Sequence, residues 1–304
     1  MYRPQNYGMR LLCAGVLLGW GCAYGVDAER PEEGTVDDDG LNADLAVSSV
    51  EQQLDQWWTT GPFVADQNDD IPMELDSTHV CILTKVSGRF AGGGEAVQVL
   101  RVNGRWRLRT QSLQHGVGGE AFCFRKSGFL ANGSDRGVSR QFANFAFAPD
   151  GCESESVSTW LGDATTYVSG ITGPWNGGCE FVKIHQAASG TAPSQLETGT
   201  GQDDEIIGGF AQSFFAGTPG AGVRAKFFNS QTFAIGSNQS IVMAATDLAM
   251  CHFTEIRGDF NGGGEWVQIR PVLDGGIEKW QLISRAVGGG GVNATARCFL
   301  RDQR

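Results

Sequence analysis

The sequence predicts an all-β fold of three pseudo-repeats of antiparallel strands, held in part by disulfides. Three observations predict it: a surplus of glycine beside strand-forming residues, apolar alternation at period two, and one long motif that recurs. The chain has 44 Gly in 304 residues, with 18 Phe, 8 Trp and only 9 Pro. That is about twice the usual glycine content of roughly 7 %. Glycine turns between β-branched and aromatic runs read as many short strands.

The alternation marks individual strands. Val97 and Val99 alternate with Ala96, Gln98 and Leu100; Val267 and Ile269 alternate with Trp266, Gln268 and Arg270. Trp106 and Leu108 alternate with Arg105, Arg107 and Arg109. A period of two puts one set of side chains on each face of a strand. Each unit is expected to hold at least a four-stranded antiparallel sheet.

The recurrence sets the domain organisation. HVCILTKVSGRFAGGGEAVQV, from His79 to Val99, matches AMCHFTEIRGDFNGGGEWVQI, from Ala249 to Ile269, at Cys81/Cys251, Thr84/Thr254, Gly88/Gly258, Phe90/Phe260 and Glu95/Glu265. The match resumes at Trp106-x-Leu108 and Trp280-x-Leu282 and closes at Cys123-Phe124 and Cys298-Phe299. A weaker copy, Thr165 to Ile184, aligns Gly170 with Gly88 and then needs a three-residue insertion before Trp175 and Glu180. The expected division is 1–23 an export signal, 24–45 an acidic tether, and repeats at 46–128, 129–216 and 217–304. The repeats either close around a pseudo-threefold axis, as in β-prisms or trefoils, or stand as tandem small domains. Apolar links such as Phe142, Phe145 and Phe147 favour one compact body.

The N-terminus reads as an address. Arg3 and Arg10 precede an apolar run from Leu11 to Leu18 that is too short to span a bilayer permanently. Small residues follow, and the segment resembles a bacterial lipoprotein signal with Cys22 as the lipidated residue. Ordinary cleavage after Ala23 or Ala28 is the alternative. Both predict export, to the outer membrane as an anchored lipoprotein or as a secreted protein. Export suits disulfides, and the repeat pairs Cys81 with Cys123 and Cys251 with Cys298, leaving Cys152 with Cys179. No Cys-x-x-Cys spacing suggests zinc.

Charge and motif narrow the function classes. Lys and Arg number 23 against 34 Asp and Glu, a net charge of -11. That balance argues against general affinity for nucleic acid or anionic membrane, so membrane contact is expected only through a lipid anchor. The Gly-Gly-Gly-Glu runs lack the lysine and helix of a phosphate loop. Glu95, Glu180 and Glu265 are expected to hold their turns by accepting backbone N–H bonds. Asp259, Asn261 and Glu265 have calcium-loop composition, but Arg89 and Ala91 replace the first two in the first repeat, which excludes a shared site. No Gly-x-Ser-x-Gly or His-Glu-x-x-His occurs, and His252 aligns with Ile82 as a packing residue. No cofactor, metal or catalytic residue is expected. Arg105, Arg107 and Arg109 form a basic strand face absent from the third repeat, where Lys279, Gln281 and Ile283 stand. It is the candidate binding row for a surface glycan or polyanionic polysaccharide; an exposed strand edge guarded by charge is the plainer reading.

The Cys-x-x-Thr-x-(Val/Ile)-x-Gly-x-Phe-x-Gly-Gly-Gly-Glu signature, with its following Trp-x-Leu and Cys-Phe, is similar to modules of bacterial exported proteins and of tail-fibre or pilus-tip adhesins. The resemblance implies recognition rather than catalysis and assigns no binding residues. An exported binding or adhesion protein is therefore expected, with a structural envelope lipoprotein and a secreted hydrolase as alternatives.

Overall fold

A computed structural model describes residues 59–113, 116–126, 140–147, 153–161, 164–177, 179–186, 193–201, 206–215, 231–287 and 291–300. The export signal with Cys22, the acidic tether and Cys152 lie outside the described residues. The first unit supplies β1 (Thr59–Asp66), β2 (Asp70–Leu75), β3 (His79–Ser87), β4 (Ala96–Val102), β5 (Arg105–Gln111) and β6 (Gly118–Arg125). The second supplies β7 (Arg140–Phe147), β8 (Glu153–Leu161), β9 (Ala164–Thr172), β10 (Phe181–His185), β11 (Pro193–Thr200) and β12 (Ile206–Phe215). The third supplies β13 (Thr232–Ile235), β14 (Ser240–Ala245), β15 (Ala249–Gly258), β16 (Trp266–Asp274), β17 (Ile277–Arg285) and β18 (Val292–Leu300).

Glycine shapes the tight turns between these strands. Asn103 and Gly104 join β4 to β5 with φ of 51° and 78°, and Gly275 and Gly276 join β16 to β17 with 61° and 80°. Two successive positive φ values give the mirror-image turn whose twist matches antiparallel strands.

No unit owns a sheet, which corrects the expectation of a four-stranded sheet in each. There are three six-stranded sheets, ordered β1-β6-β3-β16-β17-β14, β13-β18-β15-β10-β11-β8 and β2-β5-β4-β9-β12-β7. Each takes the first, sixth and third strands of one unit and the fourth, fifth and second of another. The seams are β3 with β16 through Val86–Val267, β15 with β10 through Ile256–Val182, and β9 with β4 through Ile171–Val97. All six side chains at these seams are buried. First unit joins third, third joins second, and second joins first, so the exchange closes on itself and tandem domains are excluded.

The centre of the exchange is a ring of backbone hydrogen bonds. Phe90 N–H donates to the Phe260 carbonyl (2.8 Å), Phe260 N–H to Trp175 (2.7 Å) and Trp175 N–H to Phe90 (2.7 Å). The Phe260 ring meets Phe90 and Trp175 edge-on at 5.8 and 5.7 Å. Around it Gly88 N–H donates to the Glu265 carbonyl, Gly258 to Glu180 and Gly173 to Glu95. All three glycines have positive φ, at 109°, 121° and 101°. A Cβ would come within 1.6 Å of the Gly116 carbonyl oxygen at Gly88 and 1.7 Å of the Gly291 oxygen at Gly258.

This ring corrects the alignment of the middle unit. Gly173, not Gly170, is the counterpart of Gly88, because only it has the positive φ and the glutamate carbonyl as acceptor. The three-residue insertion disappears, and equivalent residues of the three central segments lie 85 positions apart. Thr84, Ser169 and Thr254 then coincide as well. Each stands at a β-bulge, the register shifting between Leu83 and Lys85, across Ser169, and between Phe253 and Glu255. A bulge turns the following side chains over, and in β3 and β15 six successive residues are buried.

Cys81–Cys123 and Cys251–Cys298 are disulfide-bonded across equivalent strand pairs. Cys179 is also disulfide-bonded; its expected partner, Cys152, is among the residues not described.

Candidate functional site

The three sheets are equivalent in backbone and differ in what fills one place. The position in question lies between the fifth strand of one unit and the sixth of the next. In the first sheet Trp280 and Phe122 meet there edge-on at 5.6 Å, and the Trp280 indole N–H donates to the Ala249 carbonyl at 2.9 Å. In the third sheet the tryptophan is Trp106, whose N–H donates to the His79 carbonyl at 2.8 Å. Gln212 takes the phenylalanine's place there, opposite Tyr167 as Phe122 is opposite Ile82.

In the second sheet both aromatics are gone. Arg297 stands opposite His252, in Phe122's position. Continuing the β10–β11 ladder past His185–Gln195 brings Ser194 opposite Gln186, where Trp106 faces Arg101 and Trp280 faces Pro271. The Ser194 hydroxyl donates to Gln186 Oε1 at 3.3 Å. The same sheet carries a depression of about 260 Å³, lined by Lys183 to Gln186 of the second unit and by Thr232, Thr254, Glu255, Thr295 and Arg297 of the third. It begins where the seam ends at the Thr254 bulge, since β10 pairs with β15 from Phe181–Arg257 no further than Lys183–Glu255.

The polar groups of the lining differ in what they already bind. Glu255 accepts from the Thr295 hydroxyl at 3.3 Å and lies 3.6 Å from Arg257 Nε. The Thr254 hydroxyl donates to the Thr295 carbonyl at 3.3 Å. His185 Nε2 bonds to Glu197 Oε2, and Ser154 donates to Glu197 Oε1 at 2.8 Å. Burial pushes the Glu197 carboxyl up, but the bonds from His185 and Ser154 outweigh it and hold the group below its usual range. Lys183 is directly opposite both Glu197 and Glu255. The equivalent place in the first sheet is closed, with Lys85 Nζ and Gln268 Nε2 both donating to Glu120 at 2.8 Å.

The Ser154–Glu197–His185 chain has its carboxylate in the middle. A nucleophilic triad needs the imidazole between serine and acid, so this row cannot activate Ser154. Among the described residues no group of three His, Cys, Asp or Glu side chains could hold a metal ion. Asp259 Oδ1 instead accepts the Asn261 N–H at 2.9 Å, closing its own turn.

The three glutamates of the Gly-rich turns are buried. Glu265 Oε2 accepts the Gly264 N–H at 3.0 Å. Desolvation raises the Glu180 pKa, while the amides of Glu180, Gly177 and Cys179 oppose the rise. A Cβ at Gly262 would lie 2.4 Å from Glu265 Oε1, and one at Gly177 2.8 Å from Glu180 Oε1. The glycines therefore make room for the carboxyl groups.

The arginine row predicted as the binding face is drawn into the sheet. Arg107 Nε and Arg109 Nη2 bond to the two oxygens of Asp70 at 2.6 and 3.0 Å, and Arg105 Nη1 donates to the Met73 carbonyl at 2.8 Å. The edge-strand reading is corrected: β5 pairs on both sides, with β2 and β4, and β2 is the edge. Asp70 is raised by burial but lowered further by Arg107 and Arg109, so its carboxyl stays below the ordinary value. Sequence analysis does not single out this lining, because β10 of the second unit and β13, β15 and β18 of the third assemble it.

No protein-family model matches the chain. No curated protein is significantly similar to it.

Proposed function

We propose that the protein is an exported, surface-associated binding protein that recognises glycans without transforming them. The observation that supports this reading most directly is the depression on the second sheet. It gathers hydroxyl, amide and charged groups of two units around one concave space. Concave sites with a few convergent polar groups are the usual form of small-ligand recognition. The disulfides agree with an oxidising, extracytoplasmic setting. A lipid on Cys22 would hold the β body at the membrane surface through the acidic segment.

A polyanionic polysaccharide would make a secondary contact along Arg105, Arg107 and Arg109, in competition with Asp70. The test is a glycan array probed with the purified protein, followed by calorimetric titration of the hits. Saturable binding that is lost on substituting Lys183 supports the proposal. Binding to no glycan would return the protein to a purely structural envelope role. Turnover of a bound glycan would make it a hydrolase.

A further inference from the structure

Within that reading, we infer that the depression takes a neutral sugar residue by its hydroxyl groups and discriminates against sugars carrying a carboxylate. Size limits the ligand first. A volume of about 260 Å³ is below the roughly 300–1,000 Å³ of pockets for drug-sized ligands. It suits one ring at the end of a chain.

Charge excludes the acidic sugars. The charged groups in and beside the depression are already matched. Lys183 stands directly opposite Glu197 on one side and Glu255 on the other. Glu255 lies 3.6 Å from Arg257 Nε and accepts from the Thr295 hydroxyl. Glu197 is held by His185 and Ser154, and Arg297 is engaged within the protein as well. A ligand carboxylate would have to displace one of two carboxylates from beside the lysine or lie next to both. It would do so on a protein of net charge -11.

The same arrangement suits hydroxyl groups. Thr295, Glu255, Lys183, Glu197 and Ser156 stand directly opposite one another on five adjacent strands, β18, β15, β10, β11 and β8. The row places an ammonium in the middle, a carboxylate on each side of it and a hydroxyl at each end, at steps of about 4.8 Å. Its first three members line the depression, and the other two carry it to the edge strand β8. An ammonium offers three donors and a carboxylate about four acceptor sites, more than their bonds within the sheet use. A sugar hydroxyl lying between Lys183 and Glu255 can accept from the first and donate to the second. Such bonds to charged groups are about twice as strong as neutral ones, and no net charge enters the site. Thr232 and Thr254 border the same space.

Neither other sheet carries this row. The matching residues of the first sheet are Glu120, Lys85, Gln268, Ile283 and Ser240, and there Lys85 and Gln268 both donate to Glu120 at 2.8 Å. Those of the third are Phe210, Gly170, Gln98, Arg109 and Asp70, with Arg109 bound to Asp70. Only in the second sheet does a cationic donor stand between two carboxylates.

The test titrates the purified protein with the methyl glycosides of glucose, galactose and mannose, and with glucuronate and galacturonate. At least one neutral glycoside should bind in about the millimolar range expected of so small a ligand, and both acids about tenfold or more weakly. The neutral binding should change less than about twofold between low and high salt, since it neutralises no charge. Glu255→Gln and Thr295→Val should each weaken it by about tenfold, with little change in melting temperature. An acid bound as tightly as the neutral glycosides overturns the inference and leaves the glycan reading standing. Array hits held equally well by Glu255→Gln and Thr295→Val do the same. Binding to none of the five sugars, with no response on the array, overturns both.

Discussion

Thr166 and Ser213 occupy in the middle unit the cross-strand position that a disulfide occupies in the other two. They face each other on β9 and β12, with Oγ1 and Oγ 2.7 Å apart and both side chains buried. Cys81 faces Cys123, and Cys251 faces Cys298, at the matching step of the ladder. The middle unit thus keeps the contact as a hydroxyl pair, while its Cys179 forms a disulfide from the Gly-rich turn.

Substituting both residues, Thr166→Cys with Ser213→Cys, should therefore close a further cross-strand disulfide. Joining strands 47 residues apart in sequence is worth up to about 4 kcal/mol in the chain-entropy picture. Mass spectrometry under non-reducing conditions should show the two thiols oxidised, with a raised melting temperature. Two free thiols in the folded variant would show that the strand pairs are not equivalent.

Phe260 touches both other units at the central ring, so its loss should be felt by the whole molecule. Phe260→Ala removes a fully buried ring and should cost about 3–5 kcal/mol. All three sheets should lose stability together. Hydrogen exchange that loosened only β15 and β16 would mean that the units unfold independently.

His252 predicts an acid-sensitive core. It is buried against the rings of Tyr167 and Phe299, with Nδ1–H donating to the Phe253 carbonyl. Desolvation lowers its pKa to about 4, with the charge of Arg297 acting in the same direction and the Phe253 bond against it. The unfolded histidine, near 6.5, takes up its proton first as pH falls. The associated stability is complete above pH 6.5 and lost as pH falls toward 4, about 3 kcal/mol at most. His252→Ile, which copies Ile82, should flatten the fall of the melting temperature over that window. Parallel curves for the two proteins would exclude the histidine as the cause.

Asp70 holds Arg107 and Arg109, and Asp70→Asn should release them. The pair is partly exposed, so the cost in stability should stay below about 1 kcal/mol. Because the Asp70 carboxyl is held below its ordinary value, that contribution exists above the unfolded pKa and fades as pH falls through the folded one. Melting temperatures of the variant and the parent should converge there. At low salt the variant should be retained more strongly than the parent on a sulfated polysaccharide column. Unchanged retention would assign the arginines wholly to the sheet.

The arginine face shows where sequence reasoning stopped short. Period two correctly put Arg105, Arg107 and Arg109 on one side of a strand. Whether that strand was an edge depended on β2, whose Asp70 comes from 37 residues earlier. The middle unit shows the same limit in another form. Its signature reads GPW where the others read GRF and GDF, and only the hydrogen-bonded ring identifies Gly173, rather than Gly170, as the counterpart of Gly88.

What the sequence by itself determined is local or repeated. Strand periodicity, glycine turns, the disulfides of the outer repeats and the burial-prone glutamates all follow from residues close in the chain or copied within it. Which strand lies beside which was decided only in three dimensions. A unit's third strand pairs with the fourth strand of a different unit, through seams such as Val86–Val267 that no single repeat encodes. The candidate site shares that origin: Lys183 and Thr295 come from different units and border one depression because edge backbone groups need partners and find them across the seam.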